Sequence, residues 1–411
     1  MRYNDVRRRS AGRRLRATVA AALAVSVLAV TGCGSESDAG EPVPNIDLSK
    51  LDTGSYDTKP QVLAAKDPAK MARNLEALRL GDAMPLPQDI DPALTYGSTG
   101  GGPFTGADSF DSASIFGWFD KTEFDANAAG LVAGFSTSAR SNEDTDIAFG
   151  ITAAVMVFDS DDAAAAAAIA LGRKGFNDNS KAQPAVPQRY SSAQLTWIPD
   201  YQVLASWYAT GKYVINTLVR DNVKNQLKIS DQGSLVALAE RAVTVLSDRL
   251  RTFEPTPPDK LASLPIDPQG LMRLTLLRPN GDKTAAAFDG TLTTHGALHR
   301  WVDDTKTAAI FDRAGADYVG YGAGELTRTR DTQSARTFIT DLSANKFQQR
   351  IDPPPGLPTA LCFKYRGPAT NEFPYNCYVS HGRYAAQVWS YHLQDAYQRV
   401  SAQYAILAND R

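Results

Sequence analysis

Four histidines are the first residues of this chain to test for chemistry: His295, His299, His381 and His392. His295, His299 and Asp303 recur every four residues, so on a single helix they would share a face. The outer two would then lie ~12 Å apart along the axis, too far for one metal ion without ligands from another element. The spacing therefore favours a solvated polar helix face. A site in which His295 and His299 bind a metal with outside carboxylates is the alternative.

The sequence contains none of the common patterns for nucleophilic or phosphate chemistry. No Gly-x-Ser-x-Gly segment occurs, and the glycine-rich run 97–102 lacks the lysine and hydroxyl residue of a phosphate-binding loop. The carboxylates at 159–162 suit helix capping, and adjacent Asp303 and Asp304 would point to different helix faces. We therefore expect no catalytic residue, no metal and no cofactor, and a protein that is not an enzyme.

Aromatic residues are concentrated near the C terminus, where ten of them lie between residues 363 and 404. Tyrosine and tryptophan combine a flat apolar body with a polar tip, which suits a groove for a sugar, a glycolipid or a partner chain. The alternative is that these rings fill the inner faces of a small sheet and its helix. The candidate binding surface consists of Tyr365, Tyr375, Tyr378, Tyr384 and Trp389.

The first 33 residues have the organisation of an export signal. Arginines between residues 7 and 16 precede an apolar run from 17 to 31, which is too short to cross a hydrocarbon core of about 30 Å. The run closes with Val30-Thr31-Gly32-Cys33, which resembles a bacterial lipobox. That resemblance implies a signal peptide over 1–32 and a lipid anchor on Cys33, at the extracytoplasmic face of the cell membrane. A plain secretory signal is the alternative.

Charge argues against nucleic acid as a partner. Residues 1–32 hold seven arginines and one aspartate of the 43 basic and 45 acidic side chains, so the remaining chain carries a net charge of about −8. No basic stripe remains that could attract a phosphate backbone. The expected partners are the membrane, through the lipid, and an unknown envelope ligand or protein.

The rest of the chain divides into a flexible tether over 33–50, an N-terminal α+β domain over 51–254, a linker over 255–268 and a C-terminal α+β domain over 269–411. The two domains read as copies of each other. Phe176 and Phe347 close alanine-rich or polar helices that follow similar strands, and they lie 171 residues apart. Gly211 and Gly382, in matching hairpin turns, have the same separation. We infer an internal duplication.

Each copy predicts an antiparallel sheet with helices packed on one face. Ser160 and Asp331 stand at equivalent helix N-caps. Cys362 and Cys377 lie in neighbouring strand-like segments of an exported chain, so we expect a disulfide, which would close a loop of about 15 residues and contribute about 3 kcal/mol. A metal or redox pair is the alternative, but its usual spacing and further ligands are missing.

Several segments resemble an uncharacterised group of actinobacterial, mycobacterial or nocardial-type lipoproteins with two domains. They are Leu51–Tyr56, Arg73–Leu80 and Ile90–Leu94, together with the lipobox and the acidic tether. The resemblance implies no catalytic residue. The expected function is a non-enzymatic, membrane-anchored envelope lipoprotein that binds a ligand or partner. The alternatives are an accessory enzyme of cell-wall or envelope lipid metabolism and a structural spacer.

Overall fold

The computed structural model of the protein describes residues 45–64, 67–98, 100–107, 118–177, 180–279, 288–368 and 373–410. From Ile46 onward these residues belong to one compact unit. Its helices are α1 (Pro68–Ala83), α2 (Pro87–Ile90), α3 (Lys121–Asn127), α4 (Asp161–Lys174), α5 (Asn222–Gln226), α6 (Gln232–Leu250), α7 (Thr294–Leu298), α8 (Asp304–Ala314), α9 (Thr332–Ser343) and α10 (Leu393–Ala408). Its strands are β1 (Tyr96–Gly97), β2 (Gly102–Phe104), β3 (Leu131–Arg140), β4 (Phe149–Phe158), β5 (Gln183–Ala185), β6 (Gln194–Ile198), β7 (Val203–Thr210), β8 (Tyr213–Asp221), β9 (Gly290–Thr293), β10 (Tyr318–Tyr321), β11 (Gly324–Arg328), β12 (Gln348–Ile351), β13 (Leu361–Tyr365), β14 (Tyr375–His381) and β15 (Tyr384–Ser390).

The strands form two antiparallel sheets, one in each half of the chain. The N-terminal lobe carries the order β1-β3-β4-β8-β7-β6-β5, with β2 also paired to β3. The C-terminal lobe carries the order β12-β13-β14-β15-β11-β10-β9. From β3, the first sheet continues as β4, β8, β7, β6 and β5, and from β10 the second continues as β11, β15, β14, β13 and β12. In each sheet the second strand of this series therefore pairs with the last strand in chain order, β8 or β15. The fold is therefore α+β with two similar lobes, which confirms the prediction from the repeated sequence.

Helices cover both faces of each sheet, which corrects the expectation that they would pack on one face. α4 packs on the side of β4 that carries Ala154 and Met156, whereas α6 packs on the side that carries Val155 and Val157. The C-terminal lobe repeats this arrangement with α9 and α10 on opposite faces. The reason lies in β4, whose last residues form an unbroken apolar, buried run, typical of a strand covered on both sides.

The two lobes share a hydrophobic core. α1 lies between the sheets, with Leu80 on the same core as Phe135 of β3 and Leu292 of β9. Gly81 of α1 packs so closely on the Phe135 ring that a Cβ there would come within 2.4 Å of it. Because α1 contacts both sheets, the lobes form one body rather than two independently packed domains.

The segment before α1 packs on the C-terminal lobe. Leu51 is buried in the core beneath α10, and the Tyr56 hydroxyl donates a 2.7 Å hydrogen bond to Asp395 at the start of that helix. The 3-10 turn Leu48–Lys50 precedes this contact. The sequence suggested a tether up to residue 50 and an N-terminal domain from residue 51; the apolar side chains of this segment instead cover the α10 face.

The repeated caps and turns have the predicted geometry. Ser160 accepts a hydrogen bond from the Ala163 amide at the start of α4, and Asp331 accepts one from the Ser334 amide at the start of α9. Gly211 and Gly382 both have a φ of 53°, a left-handed conformation that glycine adopts without a Cβ clash. These local signals were readable because each depends on only a few neighbouring residues.

The predicted cysteine pair is a cross-strand disulfide. Cys362 of β13 and Cys377 of β14 are register partners with Cα atoms 4.1 Å apart. Both are completely buried in the α10 core. The first sheet has Leu195 opposite Ser206 in the corresponding pair of strands, so the covalent link is confined to one lobe of the described structure.

Candidate functional site

The predicted aromatic surface is divided between the two faces of the second sheet. Tyr365, Tyr378 and Trp389 lie on the face that α9 covers, and Tyr375 and Tyr384 lie on the face that α10 covers. Tyr378 is 2% exposed and belongs to the shared core. Successive residues of a strand point to opposite sides of the sheet. The aromatic residues are close together in the sequence, but they therefore do not form one surface.

These aromatic residues are mostly packing elements. Tyr365 makes an edge contact with Phe347 at 6.0 Å, and the Lys364 ammonium lies 5.6 Å from the Tyr375 ring. Tyr384 packs at the edge of the α10 core. The alternative interpretation of these rings, as the inner faces of a sheet and its helix, describes them better than a common groove does.

The histidine pair lies at the junction between the lobes and is not a solvated helix face. α7 ends at Leu298, so His299 falls beyond it, fully buried, with Nδ1 2.9 Å from the Thr137 hydroxyl of β3. His295 contacts the Met84 carbonyl after α1 through Nε2, at 2.7 Å. Burial lowers the pKa of His299 to about 3, with the charge of His295 adding to the effect. The His295 and His299 side chains therefore connect the two lobes through these contacts.

The remaining metal and carboxylate candidates have structural roles. Asp303 caps α8 by accepting from the Lys306 amide, and Asp161 and Asp162 lie in the first turn of α4. Across the described segments, no three histidine, cysteine, aspartate or glutamate side chains come together as a metal site.

A different group of polar side chains converges under the second sheet, on the side of the shared core. Glu325 of β11 is directly opposite Tyr321 of β10 and Gln387 of β15 in the sheet register, so the three side chains share one face. The Arg300 guanidinium lies 5.4 Å from the Tyr321 ring and donates to the Gly101 carbonyl of the N-terminal lobe. We call Arg300, Tyr321, Glu325 and Gln387 the interlobe polar cluster.

Three atoms of this cluster have no hydrogen-bond partner among the residues that the structure describes: Tyr321 Oη, Gln387 Oε1 and Arg300 Nε. Tyr321 is completely buried, whereas Glu325 keeps a partly accessible edge. Leaving one buried polar group unpaired costs about 1–3 kcal/mol. Unpaired buried polar atoms of this kind call for a partner that the described side chains do not supply, such as ordered water, an ion or a ligand.

Electrostatics distinguish Glu325 from an ordinary surface carboxylate. Burial raises the pKa of Glu325 to about 7, and the positive charge of Arg300 opposes this only in part. Burial likewise raises the pKa of Tyr321 well above its usual value, with the charge of Glu325 adding to it. Near neutral pH the Glu325 carboxyl is thus present in both protonation states, so it can accept or donate a hydrogen bond.

The candidates chosen from the sequence do not include Glu325. Its signal was present in the repeat, because the 171-residue separation aligns Glu325 with Ala154. The register then aligns Tyr321 with Ser136, the strand partner of Ala154. A partly accessible glutamate thus stands where the other copy of the fold has a fully buried alanine, so the two copies place different chemistry at this position.

An aromatic cavity does exist, but in the N-terminal lobe. It has a volume of about 250 Å³. Its lining includes Phe119, Phe124, Phe176 and Trp207, and an ion pair of 2.8 Å joins Lys174 and Glu123 beside them. Trp207 occupies the position that Tyr378 has in the other lobe, so the two copies use the same aromatic position differently.

The fold defines a duplicated α+β protein with two antiparallel sheets that share one core. The chain belongs to a two-domain family of unknown function: the "Domain of unknown function (DUF7373) N-terminal" matches residues 63–266, and the "Domain of unknown function (DUF7373) C-terminal" matches residues 271–410. No curated protein matches the chain. No helix of the described residues is both long and apolar enough to span a bilayer. Cys33, the predicted lipidation site, lies outside the described residues.

Proposed function

We propose that this protein is a non-enzymatic, membrane-anchored envelope lipoprotein that binds a small hydroxyl-rich ligand at the interlobe polar cluster. The observation that supports binding is the group of unpaired polar atoms beside Glu325. A hydroxyl-rich ligand both donates and accepts hydrogen bonds, so it matches an amide oxygen, a phenol and a carboxyl near its pKa. The rings of Phe288 and Tyr321 pack against the Arg300 guanidinium and hold it beside these groups.

Binding explains the cluster better than the two alternatives do. A structural spacer gains nothing from the unpaired buried atoms of Tyr321, Gln387 and Arg300, because apolar side chains there would remove a desolvation cost. An accessory enzyme of cell-wall or envelope lipid metabolism is favoured by one observation, the pKa of Glu325, which suits a general acid or base. Glu325 is the only carboxyl among the four residues of the cluster, whereas glycoside hydrolysis commonly uses two.

The ligand site is tested with monosaccharides and glycerol on the purified chain, by saturation-transfer NMR and calorimetry. We expect saturable binding that Glu325→Ala abolishes and that Glu254→Ala, at an exposed glutamate, leaves unchanged. Thermal unfolding of Glu325→Ala and Glu254→Ala confirms that each variant is folded. Equal binding by wild type and Glu325→Ala would refute the site, and ligand turnover lost in Glu325→Gln would establish the enzyme instead.

The anchor is tested separately, in cells. Mass spectrometry of the membrane fraction should find an acylated N-terminal Cys33, and Cys33→Ala should release the protein into the medium. Retention of Cys33→Ala at the membrane would refute the anchor without affecting the ligand site.

A further inference from the structure

Two arginines flank a glycine on the α4 face of the first sheet. Arg140 of β3 is the register partner of Gly150 in β4, and Gly150 is in turn the partner of Arg220 in β8. Register partners in an antiparallel sheet point to the same side, and adjacent strands lie about 4.8 Å apart. The two arginines therefore emerge about 10 Å apart with no side chain between them.

The next row of the sheet adds hydroxyl groups beside this gap. Ser138 of β3 is the partner of Thr152 in β4. Both rows line one cavity of about 170 Å³, together with Ser98 and Asn222. Its described lining residues include Arg140 and Arg220 but no aspartate or glutamate. We call this cavity the arginine pocket.

Arg220 lacks the counter-charge that a partly buried arginine usually has. Its guanidinium lies 5.4 Å from the Trp118 ring. Within the described segments it forms neither an ion pair nor a hydrogen bond, and burial alone lowers its pKa, with no acidic neighbour opposing the shift. Stacking over a ring leaves the in-plane N–H groups of a guanidinium available.

Backbone carbonyl groups hold the Arg140 side chain in place. Its Nε donates to the Asn142 carbonyl at 2.9 Å, and its Nη2 donates to the Glu143 carbonyl at 3.1 Å. These bonds fix the direction of the side chain without neutralising its charge. The pocket thus presents two positive charges, one fixed by the backbone and one stacked on a ring.

We propose that the arginine pocket binds the phosphate group of a small phosphate monoester, with Arg140 and Arg220 on opposite sides of the anion and the Ser138 and Thr152 hydroxyls donating to its oxygens. Two guanidiniums match the charge of a phosphate dianion, and the forked donors of arginine fit its oxygens bidentately. A carboxylate would satisfy one arginine and leave the other unpaired.

The duplicated lobe shows that the fold does not require this pocket. The residue equivalent to Arg220 is Tyr391, which lies 171 positions later and is 52% exposed. The arginine pocket is also on the opposite lobe from Glu325, so its proposal does not depend on the interlobe polar cluster.

The experiment titrates the purified chain with inorganic phosphate, glycerol 3-phosphate and acetate, by calorimetry and by tryptophan fluorescence, which Trp118 should report. We expect both phosphates to bind more tightly than acetate by at least about tenfold. Arg220→Gln should weaken phosphate binding by about tenfold or more, and Thr152→Val should weaken it less. Arg251→Gln, at an arginine with 79% side-chain exposure, is the matched charge control.

Each outcome of this titration either supports or overturns the arginine pocket as a phosphate site. Phosphate binding that is lost in Arg220→Gln and kept in Arg251→Gln supports the pocket, with thermal unfolding used to confirm that each variant is folded. Equal weakening by both arginine variants would show only a general charge effect and would overturn the proposal. Wild-type protein that binds acetate as well as phosphate, or neither anion, would overturn it without any variant.

Discussion

The two lobes have the same strand order, helix caps and hairpin turns, yet they bury different chemistry at the same position. In the N-terminal lobe the strand pair carries Ala154 beside Ser136. In the C-terminal lobe it carries Glu325 beside Tyr321. The elements that make the fold have been retained in both copies, whereas the polar residues that could bind a ligand differ. Sites in this protein are therefore best sought where the copies disagree.

The way in which the lobes meet explains where they diverge. The α4 face of the N-terminal lobe closes over a core of its own, but the corresponding α9 face of the C-terminal lobe belongs to the core shared with α6. The copies thus join through non-equivalent faces, as in a heterologous contact. Equivalent residues have different surroundings, so Glu325 lies near the junction while Ala154 lies in a separate core.

The largest expected effect concerns the covalent link present in only one copy. We expect the double variant Cys362→Ala/Cys377→Ala to lower the free energy of unfolding by about 3 kcal/mol, because the disulfide restricts a loop of about 15 residues in the unfolded chain. Urea unfolding followed by circular dichroism measures this. Ser206→Ala, in the lobe without the link, is the control, and an unchanged urea midpoint for the double variant would contradict the prediction.

Glu325 should make the protein's stability depend on pH in a specific direction. Because its folded pKa is raised, the folded state holds the proton more tightly, so stability is greatest below about pH 4.5 and falls as pH rises through about 7. Relative to Glu325→Gln, wild type should lose up to about 3 kcal/mol across this range. Unfolding free energies measured at intervals from pH 4.5 to 8 test this difference.

Asp82 and His299 also titrate near the junction between the lobes, but their effects on stability cancel when wild type is compared with Glu325→Gln. Burial raises the pKa of Asp82 to about 6, which also lowers stability as pH rises, and neutral buried His299 destabilises the fold as pH falls below its unfolded pKa. Wild type and Glu325→Gln share both groups. Parallel pH profiles for the two proteins would show that the Glu325 carboxyl is not desolvated.

A feature could be predicted from the sequence when it depended only on residues that are close together in the chain. The caps at Ser160 and Asp331 and the turn glycines needed only neighbouring residues, and the likeness of the two lobes followed from the repeat. The prediction of one aromatic surface was wrong because Tyr375 and Tyr378 are close in sequence but lie on opposite faces of the sheet. Glu325 needed knowledge of which residues meet across strands, and Arg140 and Arg220 are 80 positions apart until β4 brings them together.

The turn glycines provide a matched test that the lobes still share their local structure. Gly211→Ala and Gly382→Ala should each destabilise the protein by roughly 1–2 kcal/mol, because alanine is strained at positive φ. A Cβ would meet no atom within 4 Å at either position, so crowding does not contribute. Thermal unfolding of the two variants measures the effect, and a clear difference between them would show that the turns are no longer equivalent.

The helix caps give the smallest expected effect. Ser160→Ala and Asp331→Ala should each cost about 1 kcal/mol, because each leaves a backbone amide at the helix start without its acceptor. Asp331 also lies 3.4 Å from the Arg330 guanidinium, but this pair is exposed and should contribute little. Asp331→Asn, which keeps the cap and removes the charge, separates the two contributions. If Asp331→Asn were as destabilising as Asp331→Ala, the ion pair and not the cap would be what distinguishes this helix from α4.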